Sequence, residues 1–433
     1  MNGEPVSGRS SRCLPSTQIS RAADTESTTT NMRHALVNAL RIGLPAIIIA
    51  CCGAFARDGG DRPRGIFVLD SIAGATTNVV IGGFTNSYSL RDANVRVLPF
   101  VTGYVLRASW ETMEPQKEIY DFAIIDHIIA RIQPSGQWLS LIITPYEPAY
   151  IAATTGVTTW VDIDRDDLPR ARPVPWDPYL LQQRALFLQA LARHTVAGTP
   201  LAVHPVFAVV NPYLPGGHSG IRDPNITNLY KLPGYSRSNF TAAVQHELRL
   251  LTGLFSNQYV QIGFWKYQDY QPGNEPWEEL RQALLAEFNG VTRPRVGFWM
   301  ENWAASRPAP AAEPVTGYPV TAFGAPLYLS RTNTFIGFQA LTSWKRPFTG
   351  PDKVTNAEPA DGIAYAVNTY SALYFEVYQP DIDATNYWPG LQAWHAILFG
   401  IPEPAGVLLI AALLAGIRHR RCGSDASLLG GHK

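Results

Sequence analysis

One carboxyl group stands out by its setting in the sequence. Glu301 ends an apolar stretch and lies between indoles, in the run Phe298-Trp299-Met300-Glu301-Asn302-Trp303. Burial among aromatic rings disfavours the charged form of a carboxyl and raises its pKa, as a general acid requires. We therefore predict that Glu301 is catalytic; the alternative is that it binds a ligand or supports the structure. Candidate partner carboxyls are Glu147, Asp223, Glu275 and Asp70.

Polar and aromatic residues follow apolar runs elsewhere in the chain. Flat rings for stacking and many hydrogen-bonding groups suit a carbohydrate ligand. The alternative is that large side chains only close the mouth of a barrel. The predicted substrate-binding residues are Asp70, Arg107, Trp110, Tyr146, Asn211, Trp265, Trp303, Gln339 and Trp344.

Other motifs do not support a cofactor or a metal. The glycine-rich run 216–220 lacks the spacing of a serine-hydrolase elbow. Asp162, Asp164 and Asp166 alternate as at the start of a calcium loop, but the Gly and Glu that such a loop needs are absent. The nine His show no metal-ligand spacing. Basic and acidic residues number 35 each, which excludes a generally basic surface for nucleic acid.

Eight short apolar, β-rich runs alternate with helical patterns. Most runs are apolar on both faces, as buried parallel strands are. The runs cover residues 65–70, 102–109, 137–143, 203–210, 259–265, 295–300, 334–341 and 374–379. Helices are predicted at 122–132, 179–196, 240–255, 277–288, 364–373 and 387–398. This alternation predicts a (β/α)8 TIM barrel over residues 57–400, with its site at the C-terminal ends of the strands.

The second run and its sequel carry a family motif. Arg107 and Trp110 are followed by Glu114-Pro115, then by Tyr120-Asp121-Phe122 and Asp126. This pattern resembles the start of many (β/α)8 glycoside hydrolases. The resemblance implies hydrolysis of O-glycosyl bonds, with Arg107 orienting the catalytic nucleophile. We interpret the acidic residues and the tyrosine of the motif as structural.

The same resemblance implies two catalytic carboxyls. Retaining members of the family carry an acid/base Glu after an Asn on strand 4 and a nucleophile Glu on strand 7. In this chain Asn211 is followed by Pro212, and the seventh run ends in Gln339. If the strand count is shifted by one, Glu301 becomes the strand-7 nucleophile and Glu376 falls outside the count.

The first 56 residues form a predicted export segment. Residues 1–31 are polar without an apolar period, which predicts disorder. The chain from Met32 has a basic start, an apolar stretch and a small-x-small end at Ala54-Phe55-Ala56. This is the pattern of a signal peptide cleaved before Arg57, with Met32 as a possible start. Lipidation of Cys51 and a simple N-terminal anchor are the alternatives.

Residues 401–433 resemble the PEP-CTERM sorting signal. Pro402-Glu403-Pro404 precedes a 13-residue apolar run, Ala405–Ile417, and a basic cluster over 418–421. The resemblance implies recognition and processing by an exosortase. Thirteen residues span about 20 Å as a helix, short of the ~30 Å hydrocarbon core, which suits temporary anchoring. The alternative is an ordinary C-terminal anchor, and the tail Cys422–Lys433 departs from the family pattern.

Together these patterns lead to two expectations. The first is an exported, surface-sorted, glycoside-hydrolase-like protein that acts on polysaccharide in the cell envelope, on the surface or in the matrix. Its partners would be signal peptidase, the exosortase and, transiently, the inner membrane, without cofactor, metal or nucleic acid. The second is a non-catalytic carbohydrate-binding or matrix protein on a degenerate glycosidase barrel.

Overall fold

The computed structural model describes only part of the chain. The chain divides into two units, residues 1–56 and 57–433, and every described residue lies in the second. The predicted export segment and sorting signal lie outside the described residues. None of the helices described combines the length and apolarity needed to cross a membrane. The described residues are 63–69, 77–81, 84–88, 98–144, 146–163, 169–212, 232–264, 276–289, 296–305, 308, 310, 324–340, 343–345 and 358–400.

Eight parallel strands close into a barrel. Each strand pairs with the next along the chain, and the eighth pairs with the first. The strands are β1 Gly65–Leu69, β2 Gly103–Ser109, β3 Trp138–Thr144, β4 Phe207–Asn211, β5 Tyr259–Gly263, β6 Val296–Trp303, β7 Ile336–Ala340 and β8 Tyr374–Tyr378. The predicted (β/α)8 TIM barrel is therefore confirmed. Glu301 lies on the sixth barrel strand, so the shifted strand count is wrong.

Helices surround the barrel and connect its strands. Those in the described residues are α1 Trp110–Met113, α2 Ala123–Ile132, α3 Ala149–Ala153, α4 Pro178–Arg193, α5 Arg237–Leu254, α6 Pro276–Phe288, α7 Ala325–Ser330, α8 Pro359–Tyr370, α9 Gln379–Ile382 and α10 Trp388–Phe399. Short 3-10 turns lie at Gln133–Ser135, Leu201–Val203 and Thr385–Tyr387. Two-stranded antiparallel hairpins join Thr77–Ile81 to Phe84–Tyr88, Thr159–Ile163 to Pro169–Pro173, and Thr195–Val196 to Thr199–Pro200.

Two predicted boundaries are wrong between β3 and β4. The predicted helix over 179–196 ends at Arg193, because Thr195–Val196 turns back in a tight hairpin. Ala197 and Gly198 form that turn with φ of 49° and 83°, the left-handed pair typical of two-residue hairpins. The predicted strand over 203–210 begins only at Phe207.

Apolar side chains form an interior cluster and a larger outer layer. The outer layer fills the space between strands and helices. Helix α2 illustrates its origin, since isoleucines recur on one helix face and all are buried. Burying each one stabilises the fold by about 1.5–3 kcal/mol relative to exposure. These isoleucines are Ile124, Ile125, Ile128, Ile129 and Ile132.

The acidic residues of the β2 motif serve the structure. The buried Glu114 carboxylate accepts the Trp110 indole N–H at 2.6 Å and the Tyr150 hydroxyl at 2.8 Å. Asp121 accepts the backbone N–H of Ala123 at 3.1 Å, at the start of α2. Asp126 lies on α2 and pairs with His194. These contacts explain the motif without any role in chemistry.

Candidate functional site

The C-terminal end of the barrel interior is polar. In a strand, alternate residues share a face. Apolar residues such as Val105, Val209 and Trp299 belong to the interior cluster. Two residues further along each strand the same face carries a polar side chain. These polar residues are Arg107 on β2, Asn211 on β4, Glu301 on β6, Gln339 on β7 and Glu376 on β8.

Arg107 joins two of these residues. Its Nη2 donates a short hydrogen bond to Gln339 Oε1 and lies 3.4 Å from Glu301 Oε1. The Arg107 and Glu301 side chains are 17% and 7% exposed, so the ion pair is nearly buried but still open toward the mouth. Desolvation is costly for each charge, and the pairing offsets it. The structure thus brings together three residues predicted from separate strands.

A second carboxyl lies deeper in the barrel. Glu376 is fully buried, and its Oε1 accepts the Tyr374 hydroxyl at 2.7 Å. The same hydroxyl lies 2.8 Å from Ser140 Oγ on β3, so Tyr374 reaches across the interior. A phenol has one proton, and donation to Glu376 therefore leaves Tyr374 to accept from Ser140. Glu376 faces Gln339 in the strand register.

Burial dominates the protonation of this deeper pair. Burial raises the pKa of Glu376 to about 8, and the Glu301 charge also raises it. Arg107, the Tyr374 hydroxyl and the Trp299 indole lower this pKa in part. At pH 7 the Glu376 carboxyl is therefore mostly neutral. Burial, and then the charge of Glu376, raise the pKa of Tyr374 well above its ordinary value.

Asn211 offers unused hydrogen-bonding groups at the same end. Its side chain is fully buried at the end of β4. Neither its Oδ1 nor its Nδ2 has a hydrogen-bond partner among the described residues. Buried amides are nearly always hydrogen-bonded, so these atoms fit a role in binding water or a ligand.

Three predicted stacking residues lie in the outer layer instead. Trp110 begins α1, which carries its indole away from the barrel mouth onto Phe187. Trp303 packs against Trp344 with ring centroids 5.0 Å apart and donates to Gly362 O at 2.7 Å. All three indoles are at least 95% buried, at 1%, 0% and 5% exposure. The prediction that they stack on a sugar is therefore corrected.

A strand irregularity explains the position of Trp303. Alternation along β6 would place Trp303 on the same interior face as Trp299 and Glu301. The register with β7 shifts between Met300 and Trp303, however. Such a bulge changes the face to which the following side chains point. Trp303 consequently joins the outer layer, where it packs against Phe375.

The candidate partner Glu147 is engaged elsewhere. Its two oxygens each lie 3.1 Å from the Arg172 guanidinium, in a pair that is almost completely buried. The neighbouring Tyr146 is partly exposed after β3, with Arg170 5.3 Å above its ring. Tyr146 lies at the rim, as predicted. Glu147 instead binds Arg172 in the hairpin strand Pro169–Pro173.

Several predicted residues lie outside the described residues. These are Asp70, Trp265, Asp223 and Glu275, together with the run 216–220, Asp164 and Asp166. In the described part of the chain, no three His, Cys, Asp or Glu side chains form a group that could hold a metal ion.

Glu376 is the site residue that the sequence prediction missed. It occupies the middle of β8 in Tyr374-Phe375-Glu376-Val377-Tyr378. The signal was available, because an acid in an otherwise apolar strand is rare unless its face is functional or paired. Asp381, which follows the same strand, instead accepts from Ser343 and the Lys345 backbone.

The strand pairing defines this chain as a (β/α)8 barrel protein with a polar mouth. The sequence matches no protein-family model and no curated protein. Similar solved structures include a β-galactosidase from Rahnella sp. R3, at 12% identity, TM-score 0.41, and coverage of 70% of this chain and 52% of that one. Endo-glycoceramidase II from Rhodococcus sp. has 13% identity, TM-score 0.40 and 73% coverage of both chains.

A further similar structure is the β-galactosidase from Bacillus circulans sp. alkalophilus. It has 11% identity, TM-score 0.39, and coverage of 69% of this chain and 51% of that one. This chain thus spans about half of the length of both β-galactosidases. Similarity at this distance carries no conclusion about activity.

Proposed function

We propose that this chain is a glycoside-hydrolase-like protein that acts on polysaccharide at the C-terminal mouth of its barrel. The observation that carries the proposal is the group that Arg107 forms with Glu301 and Gln339. It places one carboxyl, one guanidinium and one amide at the end of the barrel where such folds bind substrates. Asn211 adds an amide without a partner in the described residues.

Glu301 is the carboxyl assigned to the substrate. It is 6% exposed beneath the mouth, whereas Glu376 is fully buried. Hydrolysis of a glycoside needs a second carboxyl, about 5–5.5 Å away for retention or 6.5–9.5 Å for inversion. Asp70, Asp223 and Glu275 remain the proposed partners. Asp70, Arg107, Tyr146, Asn211, Trp265 and Gln339 remain the proposed sugar-binding residues.

The second candidate function is carbohydrate binding without hydrolysis. Two observations favour it: Pro212 follows Asn211, and β7 carries Gln339. These are the two places where the resembled family has its catalytic carboxyls. A polar mouth with one substrate-facing acid binds hydroxyl groups whether or not it cleaves the bond.

A glycan array and a hydrolysis screen on the purified protein separate the two functions. Both predict glycan binding, and only the first predicts reducing-end release that disappears in Glu301→Gln. Glu279→Gln is the control, because Glu279 is exposed and paired with Arg237 on the helical surface. Absence of binding to every glycan contradicts both functions.

The proposal includes export and surface sorting. Its support is the sequence of the two ends, with a signal-peptide-like pattern before Arg57 and a PEP-CTERM-like segment from Pro402. Signal peptidase and an exosortase are the proposed processing partners, and the cell envelope is the proposed location.

A further inference from the structure

A buried chain of hydrogen bonds lies beneath the polar mouth formed by Arg107, Glu301 and Gln339. Tyr374 links Ser140 on β3 to Glu376 on β8, at 2.8 and 2.7 Å. Glu376 Oε2 has no partner in hydrogen-bonding geometry among the described residues, although it is fully buried. The Trp299 indole N–H also acts on this carboxyl, but it does not reach hydrogen-bonding geometry. A buried carboxylate with one bare oxygen is much more costly than a buried carboxylic acid. The geometry therefore favours a proton on Glu376.

We propose that Glu376 is a positioning residue which, by carrying a proton, leaves the Arg107 guanidinium to Glu301 and Gln339. The inference rests on the proposed function only in taking the barrel mouth as a sugar-binding site. The proton on Glu376 does not depend on that function. Glu376 does not itself touch substrate. It acts through the direction in which Arg107 points.

The charges around Glu376 explain this effect. Arg107 on β2 and Glu301 on β6 are the charged groups that act on it, and Tyr374 is the titratable neighbour on its own strand. The neutral Trp299 indole on β6 also favours the charged form, but burial outweighs it. The neighbouring strands β1 and β7 present Phe67 and Gln339 in register, which do not titrate. With Glu376 neutral, the charges of Arg107 and Glu301 balance.

Loss of the proton adds a second negative charge to this group. Arg107 can then pair with the carboxylate of Glu301 or with that of Glu376. Glu376 lies deeper and is the less solvated of the two. An opposite charge is attracted most strongly where water is excluded, so the guanidinium is drawn from Glu301 and Gln339 toward Glu376. Because burial raises the pKa of Glu376 to about 8, the change falls in the mildly alkaline range.

Tyr374 sets where this transition falls. Its hydroxyl donates to Glu376 and so favours the charged form, which lowers the Glu376 pKa. Tyr374→Phe removes that hydrogen bond and keeps the ring. The transition should move upward by about 0.5–1 pH unit, the size expected for losing one such bond.

The test follows Arg107 directly, without any sugar. The ¹⁵N resonance of the Arg107 Nε–H group, assigned by its loss in Arg107→Lys, is recorded from pH 6 to pH 10 on the full chain. We expect a shift with a midpoint near pH 8 in the wild type, no such shift in Glu376→Gln, and a higher midpoint in Tyr374→Phe. Glu376→Gln retains the shape of the neutral acid, so it should fold.

Glu114→Gln is the matched control, because Glu114 is also buried and also accepts a tyrosine hydroxyl, but in the outer layer. It should leave the midpoint of the Arg107 transition unchanged. A wild-type resonance that does not move, or one that titrates equally in Glu376→Gln, overturns the inference. Since no glycan is present, failure of the proposed function leaves this result unaffected.

Discussion

Arg107 and Glu301 meet at the mouth of the barrel although 194 residues separate them in the chain. Arg107 Nη2 lies 3.4 Å from Glu301 Oε1, and the same nitrogen donates to Gln339. Each residue comes from a different strand, so closure of the barrel is what creates the group.

Glu301→Gln tests the catalytic assignment. The amide keeps shape and hydrogen-bonding capacity but cannot transfer a proton. If Glu301 is the acid or nucleophile, hydrolysis should fall by about 10²–10⁴ or more, with sugar affinity nearly unchanged. If it only binds hydroxyls, affinity should fall by about 1–3 kcal/mol without any turnover to lose. Turnover, affinity and melting temperature are measured on one variant, and undiminished turnover would end the assignment.

Arg107→Ala tests the ion pair. It leaves Glu301 nearly buried without its counter-charge and removes the hydrogen bond to Gln339. We expect the free energy of unfolding to fall by about 2 kcal/mol, less than for a fully buried pair because Arg107 is partly exposed. Urea unfolding at pH 7 measures this change. Arg249→Ala, which breaks a surface pair with Glu287, should cost less than about 1 kcal/mol.

Glu376→Gln tests the pH dependence of stability. Burial raises the folded-state pKa of Glu376 to about 8 from an ordinary value of 4.5. A raised folded-state pKa stabilises the fold below pH 4.5, and this contribution is lost as the pH rises toward 8. The wild type should therefore lose stability relative to Glu376→Gln by roughly 1.4 kcal/mol per pH unit across that window. A difference that is constant from pH 5 to pH 8 contradicts the prediction.

Trp303→Phe separates packing from sugar binding. Phe retains most of the apolar contact with Trp344 but loses the hydrogen bond to Gly362 O. We expect unfolding free energy to fall by about 1–2 kcal/mol and glycan affinity per folded molecule to stay the same. Tyr146→Ala is the converse variant, with weaker glycan binding at nearly unchanged stability. A large loss of glycan affinity in Trp303→Phe would show that the Trp303 indole contributes to sugar binding.

Intact-mass measurement of the native protein tests export and sorting. The mature chain is expected to begin at Arg57, or at Cys51 if it is lipidated, and to lose its tail near Pro402. A native species that retains residues 1–50 and Leu408–Lys433 contradicts both processing steps.

The fold was predictable from the sequence because its signals are local. Each of the eight predicted apolar runs overlaps a barrel strand, and α2 begins one residue after its predicted start at Phe122. Apolar periodicity and strand–helix alternation depend on neighbours in the chain. The strand ends that carry Arg107, Glu301 and Gln339 could be named for the same reason.

The tertiary structure decided which side chains share a face and which groups keep a proton. A register shift on β6 moves Trp303 to the outer layer, although simple alternation places it beside Glu301. Glu376 becomes part of the site only because β8 closes the barrel against β1 and leaves that carboxyl without water. Bulges and desolvation depend on contacts between distant segments, and the sequence alone contains neither.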